Sequence, residues 1–292
     1  MPVSHRKWMH SRPPLDVPWE VNWGSPQARE LKDGAWWPTV GSQGMSVLRD
    51  RAGSNPATPV ATTWQSDGNL GNVIYGDGVN GYIDCGVIPA INGAICFSVS
   101  MWVRPMGSFL TKPFWGNLSP ATYRGVLAYT HDSLAGCIVY AFYNNGVGAY
   151  AISDANLFSS GQQLHIVCVF NGNGAGNAAR AQIYVNGKAR PLTFEGAGIP
   201  TSSDTSVSTL RLLNWGSVNN GRLNAYVGDT RLHPVALSPA EVWAQFDPAT
   251  RWDFYLPIRR YWGMGQMIAH WPIGLHPLSP IGSNVIAGVP HG

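Results

Sequence analysis

Apolar and polar residues alternate in short runs between about residues 34 and 232, and turn-formers punctuate the runs. This period of two predicts strands. In Cys96–Val103 (CFSVSMWV), Phe97, Val99, Met101 and Val103 share one face, while Ser98, Ser100 and Trp102 share the other. Leu164–Phe170 (LHIVCVF) is nearly all apolar, as expected of a strand buried on both faces. Further strands are predicted at Asn72–Tyr75, Gly81–Cys85, Val126–Thr130, Cys137–Tyr143, Val147–Ile152, Ala181–Val185, Thr209–Trp215 and Leu223–Leu232. Asn186-Gly187 follows Ala181–Val185 as a two-residue hairpin signal, because both positions tolerate positive φ. Many short strands with Gly/Asn turns predict a sandwich or barrel.

One helix is signalled. Ser238-Pro239-Ala240-Glu241 places a hydroxyl at the N-cap, proline at the first helical position and glutamate at the third. A helix is therefore predicted over 238–246, stopping before Pro248. Residues 1–33 read as an N-terminal arm. Pro2, Pro13, Pro14, Pro18 and Pro26 interrupt any helix or central strand there, and Trp8, Trp19 and Trp23 are interspersed. Residues 250–292 read as a C-terminal extension rich in proline, glycine and aromatics, including Trp262 and Trp271. Residues 34–249 are left as the sandwich.

Composition narrows the class. Charged residues are only 12% of the chain, about half the ordinary share. With 34 Gly, 22 Pro and 13 Trp, the chain suits a β-rich protein with a large contact surface and does not suit a disordered one. The net charge is +3, and basic clusters are limited to His5-Arg6-Lys7 and Arg259-Arg260, so no nucleic-acid partner is expected. No run of 18 apolar residues occurs, so no membrane insertion is expected. The basic start lacks an apolar h-region, which predicts no Sec signal peptide and synthesis in the cytoplasm. Cys85, Cys96, Cys137 and Cys168 form no C-x-x-C pair and read as reduced, buried small hydrophobes.

At this point four blocks resemble one family. Tyr75–Gly86 (YGDGVNGYIDCG) resembles the "F-D-G-x-x-D-Y-V-D-L-G" segment of laminin-G-like domains, the concanavalin A-like and pentraxin-like group. Phe97–Pro105 (FSVSMWVRP) resembles "F-T-I-S-A-W-V-K-P". His165–Phe170 followed by Gln182–Lys188 (QIYVNGK) resembles "W-H-H-V-A-V-T-Y-D" followed by "R-L-Y-V-D-G". Ala225–Phe246 resembles "G-x-I-D-E-V-R-I-Y-N-R-A-L-S-A-A-E-I-x-A-L-Y". The resemblance implies an all-β, two-sheet antiparallel jelly-roll sandwich. The ends, VNWGSPQARELKDGAWW and FYLPIRRYW, resemble laminin-G-like proteins of tailed bacteriophages. That second likeness implies a virion-associated structural protein, such as a capsid decoration, spike or fibre-associated component. Its partners would be other virion proteins and further copies of itself, docked through Trp8, Trp19, Trp23, Arg259, Arg260, Trp262 and Trp271. A glycan-binding lectin module for cell-surface polysaccharide is the alternative.

Candidate chemistry is sparse. Gly76–Gly81 satisfies G-x-G-x-x-G, but a strand follows it where a dinucleotide site needs a helix, so it reads as a turn. Asn171–Asn177 (NGNGAGN) lacks the Lys-Ser/Thr of a phosphate loop and reads as a hairpin connection. Asp77, Asn80 and Asp229 could supply calcium oxygens if the family geometry holds. The competing possibility is that Asp77 caps its own turn and Asp229 pairs with Arg231. Two acids of the family pattern are replaced, by Gly81 and Gly228. Glycosidases need two facing carboxylates. The glutamates are Glu20, Glu30, Glu195 and Glu241, and no strand carries two acids on one face, so no enzyme is expected. His131-Asp132 reads as a solvated pair and His165 as a satisfied buried histidine. For glycans, Trp215 with Asn219 and Asn220, and Tyr143 with Asn144, pair a ring with amides in loops. For each of these rings, core packing is the competing role.

Overall fold

The structure is a computed structural model that describes residues 19–108, 110–205, 208–216 and 221–257, and the backbone of 262–263 and 266–267. The first strands are β1 (Trp19–Val21), β2 (Ala35–Trp37), β3 (Thr58–Val60), β4 (Thr62–Asp67), β5 (Gly71–Asp77), β6 (Tyr82–Asp84) and β7 (Cys96–Pro105). Then come β8 (Pro113–Gly116), β9 (Gly125–Thr130), β10 (Ile138–Asn144), β11 (Val147–Ser153), β12 (Leu164–Asn171) and β13 (Ala181–Val185). The set closes with β14 (Lys188–Ala189), β15 (Leu192–Gly196), β16 (Arg211–Leu212), β17 (Asn224–His233) and β18 (Tyr255–Pro257). Helices are α1 (Pro26–Arg29), α2 (Asn177–Arg180) and α3 (Pro239–Phe246). A separate unit, residues 258–292, has a backbone hairpin pairing Trp262–Gly263 with Gln266–Met267.

Two antiparallel sheets form the sandwich. The front sheet runs β15-β11-β10-β9-β8-β16-β6-β3 and the back sheet β14-β13-β12-β7-β17-β5-β4, with β2 also pairing with β17. The alternation in β7 works as predicted: Phe97, Val99, Met101 and Val103 all enter the inter-sheet core. So do Ile166, Cys168 and Phe170 of β12, facing Tyr140 and Phe142 of β10. The other face of β12 carries Val167 and Val169, which α3 covers through Val242. β12 is thus buried on both faces, as its unbroken apolar run required. Cys85, Cys137 and Cys168 are buried and all four cysteines are free thiols. The connection after β12, expected as a plain hairpin loop, holds the single turn α2, entered from Gly176 at φ 84°.

The capping box of α3 is present on both sides. Ser238 Oγ accepts from the Glu241 N–H and Glu241 Oε2 accepts from the Ser238 N–H at 2.7 Å. The approach to α3 is pinned by Ser98, whose hydroxyl donates to Val235 O at 2.8 Å and accepts from Leu237 N at 3.0 Å. Ser238→Ala removes the side-chain half of the box and is expected to cost about 1 kcal/mol, read by urea denaturation.

The terminal segments fold back on the sandwich. β1 pairs antiparallel with β18, Trp19 opposite Pro257, so residues 19–21 and 255–257 form one ribbon. The ribbon lies on the outer face of the back sheet. Trp19, Trp36, Phe254 and Tyr255 form one aromatic cluster there, with Trp19–Tyr255 centroids 4.6 Å apart and Trp36–Phe254 5.3 Å. Inside it, Asp229 accepts from Trp36 Nε1 at 2.6 Å and from the Arg231 guanidinium, which lies 3.8 Å over Phe254. A β-bulge at Gly228-Asp229 on β17 makes this possible. A Cβ at 228 would sit 2.9 Å from Leu70 Cδ1 and 3.2 Å from Trp102 Cβ, so the Leu70 side chain would have to shift to admit one.

Candidate functional site

The outer face of the front sheet differs from that of the back sheet. Its apolar cluster takes residues from the front sheet's own strands, with Leu118, Cys137 and Trp215 the buried members outside them. Along β9, Leu127 and Tyr129 point outward; along β10, Val139, Ala141 and Tyr143; along β11, Tyr150 and Ile152. The registers Tyr129↔Val139 and Tyr143↔Gly148 bring the tyrosines onto adjoining strands. The hydroxyls of Tyr150 and Tyr143 are 3.1 Å apart, their rings edge-to-face at 5.7 Å, and the Tyr129 hydroxyl joins the same network. Tyr129 packs on Trp215 at 4.8 Å between centroids.

Desolvation is the first cause that raises the Tyr129 and Tyr143 hydroxyl pKa values. Both hydroxyls therefore stay protonated and can donate as well as accept. Glu195 lies directly opposite Tyr150 across the β11–β15 pair, which puts both side chains on this outer face. At the rim, Tyr123 is 50% exposed and its carbonyl accepts from Gly146 N at 3.1 Å, next to the β10–β11 turn. Arg124 donates from Nε to Asn145 Oδ1 at 2.6 Å on the same rim. The assembly is a half-buried aromatic platform edged by amides, hydroxyls and one carboxylate.

The predicted glycan residues are partly united here. Tyr143 and Trp215 belong to one cluster, and Asn144 is exposed at the end of β10. Trp215, expected to present its ring from a loop, is instead 8% exposed and underlies Tyr129. Asn219 and Asn220 lie outside the described residues. Tyr129, Tyr150, Tyr123 and Glu195 were missed. Period-two alternation in VLAYT and GAYAIS marks Tyr129 and Tyr150 as leaving the core face, but not that they meet.

The calcium set is not brought together. Asp77 Oδ1 accepts from the N–H groups of Val79, Asn80 and Gly81, each at 2.8 Å, so it caps its own turn and its pKa is lowered by those bonds. Asn80 enters this turn through its backbone. Asp77 pairs with Asn224, which leaves Asp229 farther along β17, on the order of 16 Å away. There it is committed to Trp36 and Arg231. Among the described residues no cluster of three or more metal-ligating side chains occurs.

The predicted docking residues divide. Trp19 is buried on its own chain's Trp36 and Tyr255, whereas Trp23 is 48% exposed. Only the backbone of Trp262 is described, and Trp8, Arg259, Arg260 and Trp271 lie outside the described residues. His131 Nδ1 sits 2.8 Å from Asp132, which is 73% exposed, as a surface pair. His165 is buried as expected, but its Nδ1 has no hydrogen-bond partner. The glutamates are spread over the ribbon, the α1 exit, β15 and the α3 cap. No helix among the described residues is long and apolar enough to cross a membrane.

Residues 76–243 match the model of the concanavalin A-like lectin/glucanases superfamily. The chain belongs to that superfamily. No curated protein matches the chain. Among solved structures of this sandwich type, domain 4 of AbnA, an extracellular arabinanase from Geobacillus stearothermophilus, in complex with arabinotriose, is 16% identical with a TM-score of 0.54. The match covers 73% of this chain and 97% of that domain. The receptor-binding domain of botulinum neurotoxin C/D mosaic serotype is 13% identical with a TM-score of 0.51, covering 73% of this chain and 50% of that one. The botulinum neurotoxin serotype D ligand-binding domain in complex with N-acetylneuraminic acid is 12% identical with a TM-score of 0.52, covering 75% and 52%. The chain thus spans about half the length of the toxin domains. The superfamily fold serves binding domains and parts of glycosidases, and at these identities the likeness is one of fold.

Proposed function

We propose that this sandwich is a non-enzymatic glycan-binding module whose site is the outer face of the front sheet around Tyr129, Tyr143 and Tyr150. The observation that carries this is the meeting of three tyrosine hydroxyls above Trp215. Flat apolar rings suit the apolar face of a pyranose or furanose, and neutral hydroxyls with neighbouring amides suit its rim of hydroxyl groups. Sugar-bound structures of similar sandwiches support the reading. The test is a glycan array probed with the full chain and with Tyr143→Ala and Tyr150→Ala. Binding to a defined set of oligosaccharides is expected, weakened at least tenfold in both variants while their circular-dichroism spectra stay β-rich. A blank array for the unaltered chain would defeat the proposal.

A second reading concerns where the module works. Trp19 opposite Pro257 puts the outermost described residues of the ribbon at one of its ends, on the face of the sandwich opposite the tyrosines. That arrangement supports tethering to an assembly with the binding face turned outward. Tethering within a tailed-phage virion, beside other virion proteins or further copies of the chain, is the form we propose. Mass spectrometry of purified virions, with and without deletion of 258–292, tests it. Unchanged copy number after the deletion would count against this tether.

A further inference from the structure

Resting on the glycan-binding reading, we infer that the tyrosine face selects uncharged, hydroxyl-rich glycans over sialylated or uronic-acid ones, and that Glu195 sets this preference. The similar sandwiches are seen with both kinds of sugar, arabinotriose and N-acetylneuraminic acid, so the fold leaves the choice open. The charges on this chain make it.

Glu195 is exposed and stands across from Tyr150 on the edge strand β15. Its field reaches the Tyr129 hydroxyl, as does that of Asp132 at the far end of β9, so negative potential falls on the platform from two sides. A carboxylate accepts charge-assisted bonds from sugar hydroxyls and repels a sugar acid placed on the same rings.

The arginines that border this end are already engaged. Arg124 is held by Asn145 at 2.6 Å and by Asp204 at 3.4 Å. The Lys112 N–H donates to Thr130 Oγ1, its carbonyl accepts from the Thr130 N–H, and its ammonium lies toward Gly221. Arg211 and Arg222 both stack over Tyr82 of β6, and Arg211 pairs with Asp84 at 2.9 Å. Arg211 stands on β16, two strand positions or roughly 10 Å from β9, but its charge is paired with Asp84 and its Nη1 donates to Gly216 O. The front face is therefore polarised, acidic at the tyrosines and basic at Tyr82.

The experiment compares neutral arabino-, galacto- and gluco-oligosaccharides with their sialylated or glucuronylated counterparts, by array and then calorimetry. The full chain, Glu195→Gln and Glu195→Lys are each measured at low and at physiological salt. The unaltered chain is expected to prefer neutral glycans at least tenfold. Glu195→Gln should weaken neutral binding severalfold, through loss of the carboxylate acceptor. Glu195→Lys should raise acidic-glycan binding at least tenfold, and added salt should erase that gain. Position 195 is exposed on an edge strand, so a thermal melt within a few degrees of the unaltered chain is expected for both variants. Equal binding of acidic and neutral glycans by the unaltered chain, or an unchanged ratio in Glu195→Lys, overturns the selectivity while leaving glycan binding in place. Acidic-glycan binding abolished by Arg222→Ala also overturns it, placing the site at Tyr82. Binding of no glycan at all defeats both.

Discussion

Lowering the pH from 8 to 5 is expected to remove about 4 kcal/mol of folding stability, most of it through two histidines. His165 and His233 are fully buried and burial, the largest cause in each, pulls both pKa values down to about 3. In the unfolded chain a histidine titrates near pH 6.5. The sign follows directly. Above pH 6.5 neither state binds the proton and the full stability is present. Below it the unfolded chain takes up two protons that the native chain refuses, so stability falls until about pH 3. The slope is about 1.4 kcal/mol per pH unit for each histidine. Asp229, whose carboxyl is raised chiefly by burial, acts with the opposite sign, over the range from the unfolded carboxylate value up to its raised native one.

The surroundings show why the protons are refused. His165 packs beside Trp102 at 4.8 Å and Phe246 at 6.3 Å, two rings that also meet each other at 6.0 Å, with the cations Arg231 and Arg251 adding to the penalty. His233 donates from Nδ1 to Glu30 O at 3.2 Å and accepts at Nε2 from Gln245 at 3.1 Å. Protonated at both nitrogens, it would face the Gln245 amide donor to donor. In this arrangement the neutral His233 ring joins β17, the α1 exit and α3. Urea denaturation between pH 8 and pH 5 checks this, with His165→Phe and His233→Gln each expected to flatten the slope by about 1.4 kcal/mol per unit. A pH-independent stability over that range would contradict it.

Asp229→Ala is expected to destabilise the chain by about 3–5 kcal/mol. The change strips the buried Arg231 guanidinium of its anion and Trp36 Nε1 of its acceptor. Arg231 would then sit uncompensated over Phe254, in the seam that fastens the β1–β18 ribbon to β2 and β17. The loss should be visible as faster tryptic cleavage at Arg29 and Lys32, ahead of cleavage in the sandwich. Removing both charges, as in Asp229→Leu with Arg231→Met, is expected to recover most of the stability, because apolar packing replaces two desolvated ions. A single substitution costing under about 1 kcal/mol would show that the pair does not fasten the ribbon.

Acid and the Asp229 substitution thus reach the same region by different routes. Both loosen contacts between the sandwich and its terminal segments, and neither touches the tyrosine face on the opposite side. Glycan binding should therefore survive Asp229→Ala below its unfolding temperature.

The sequence by itself determined the all-β class, the principal strands and the helix over 239–246, while the choice of a sandwich over a barrel came through the family resemblance. Alternation in CFSVSMWV, the unbroken LHIVCVF run and the Ser238–Glu241 box are local signals, and local sterics and burial suffice to read them. Very short strands such as β3 and β8 carry too few residues for a period to show. Partnership was the part only the tertiary structure decided. A period of two states which face a residue joins, not which strand lies beside it. So Trp19 proved to pack on Trp36 and Tyr255, Asp77 and Asp229 proved to serve separate turns and seams, and Tyr129, Tyr143 and Tyr150 were joined into one surface. Each of those outcomes depends on pairings between segments far apart in the chain, whose registers are fixed by the packing of the whole core.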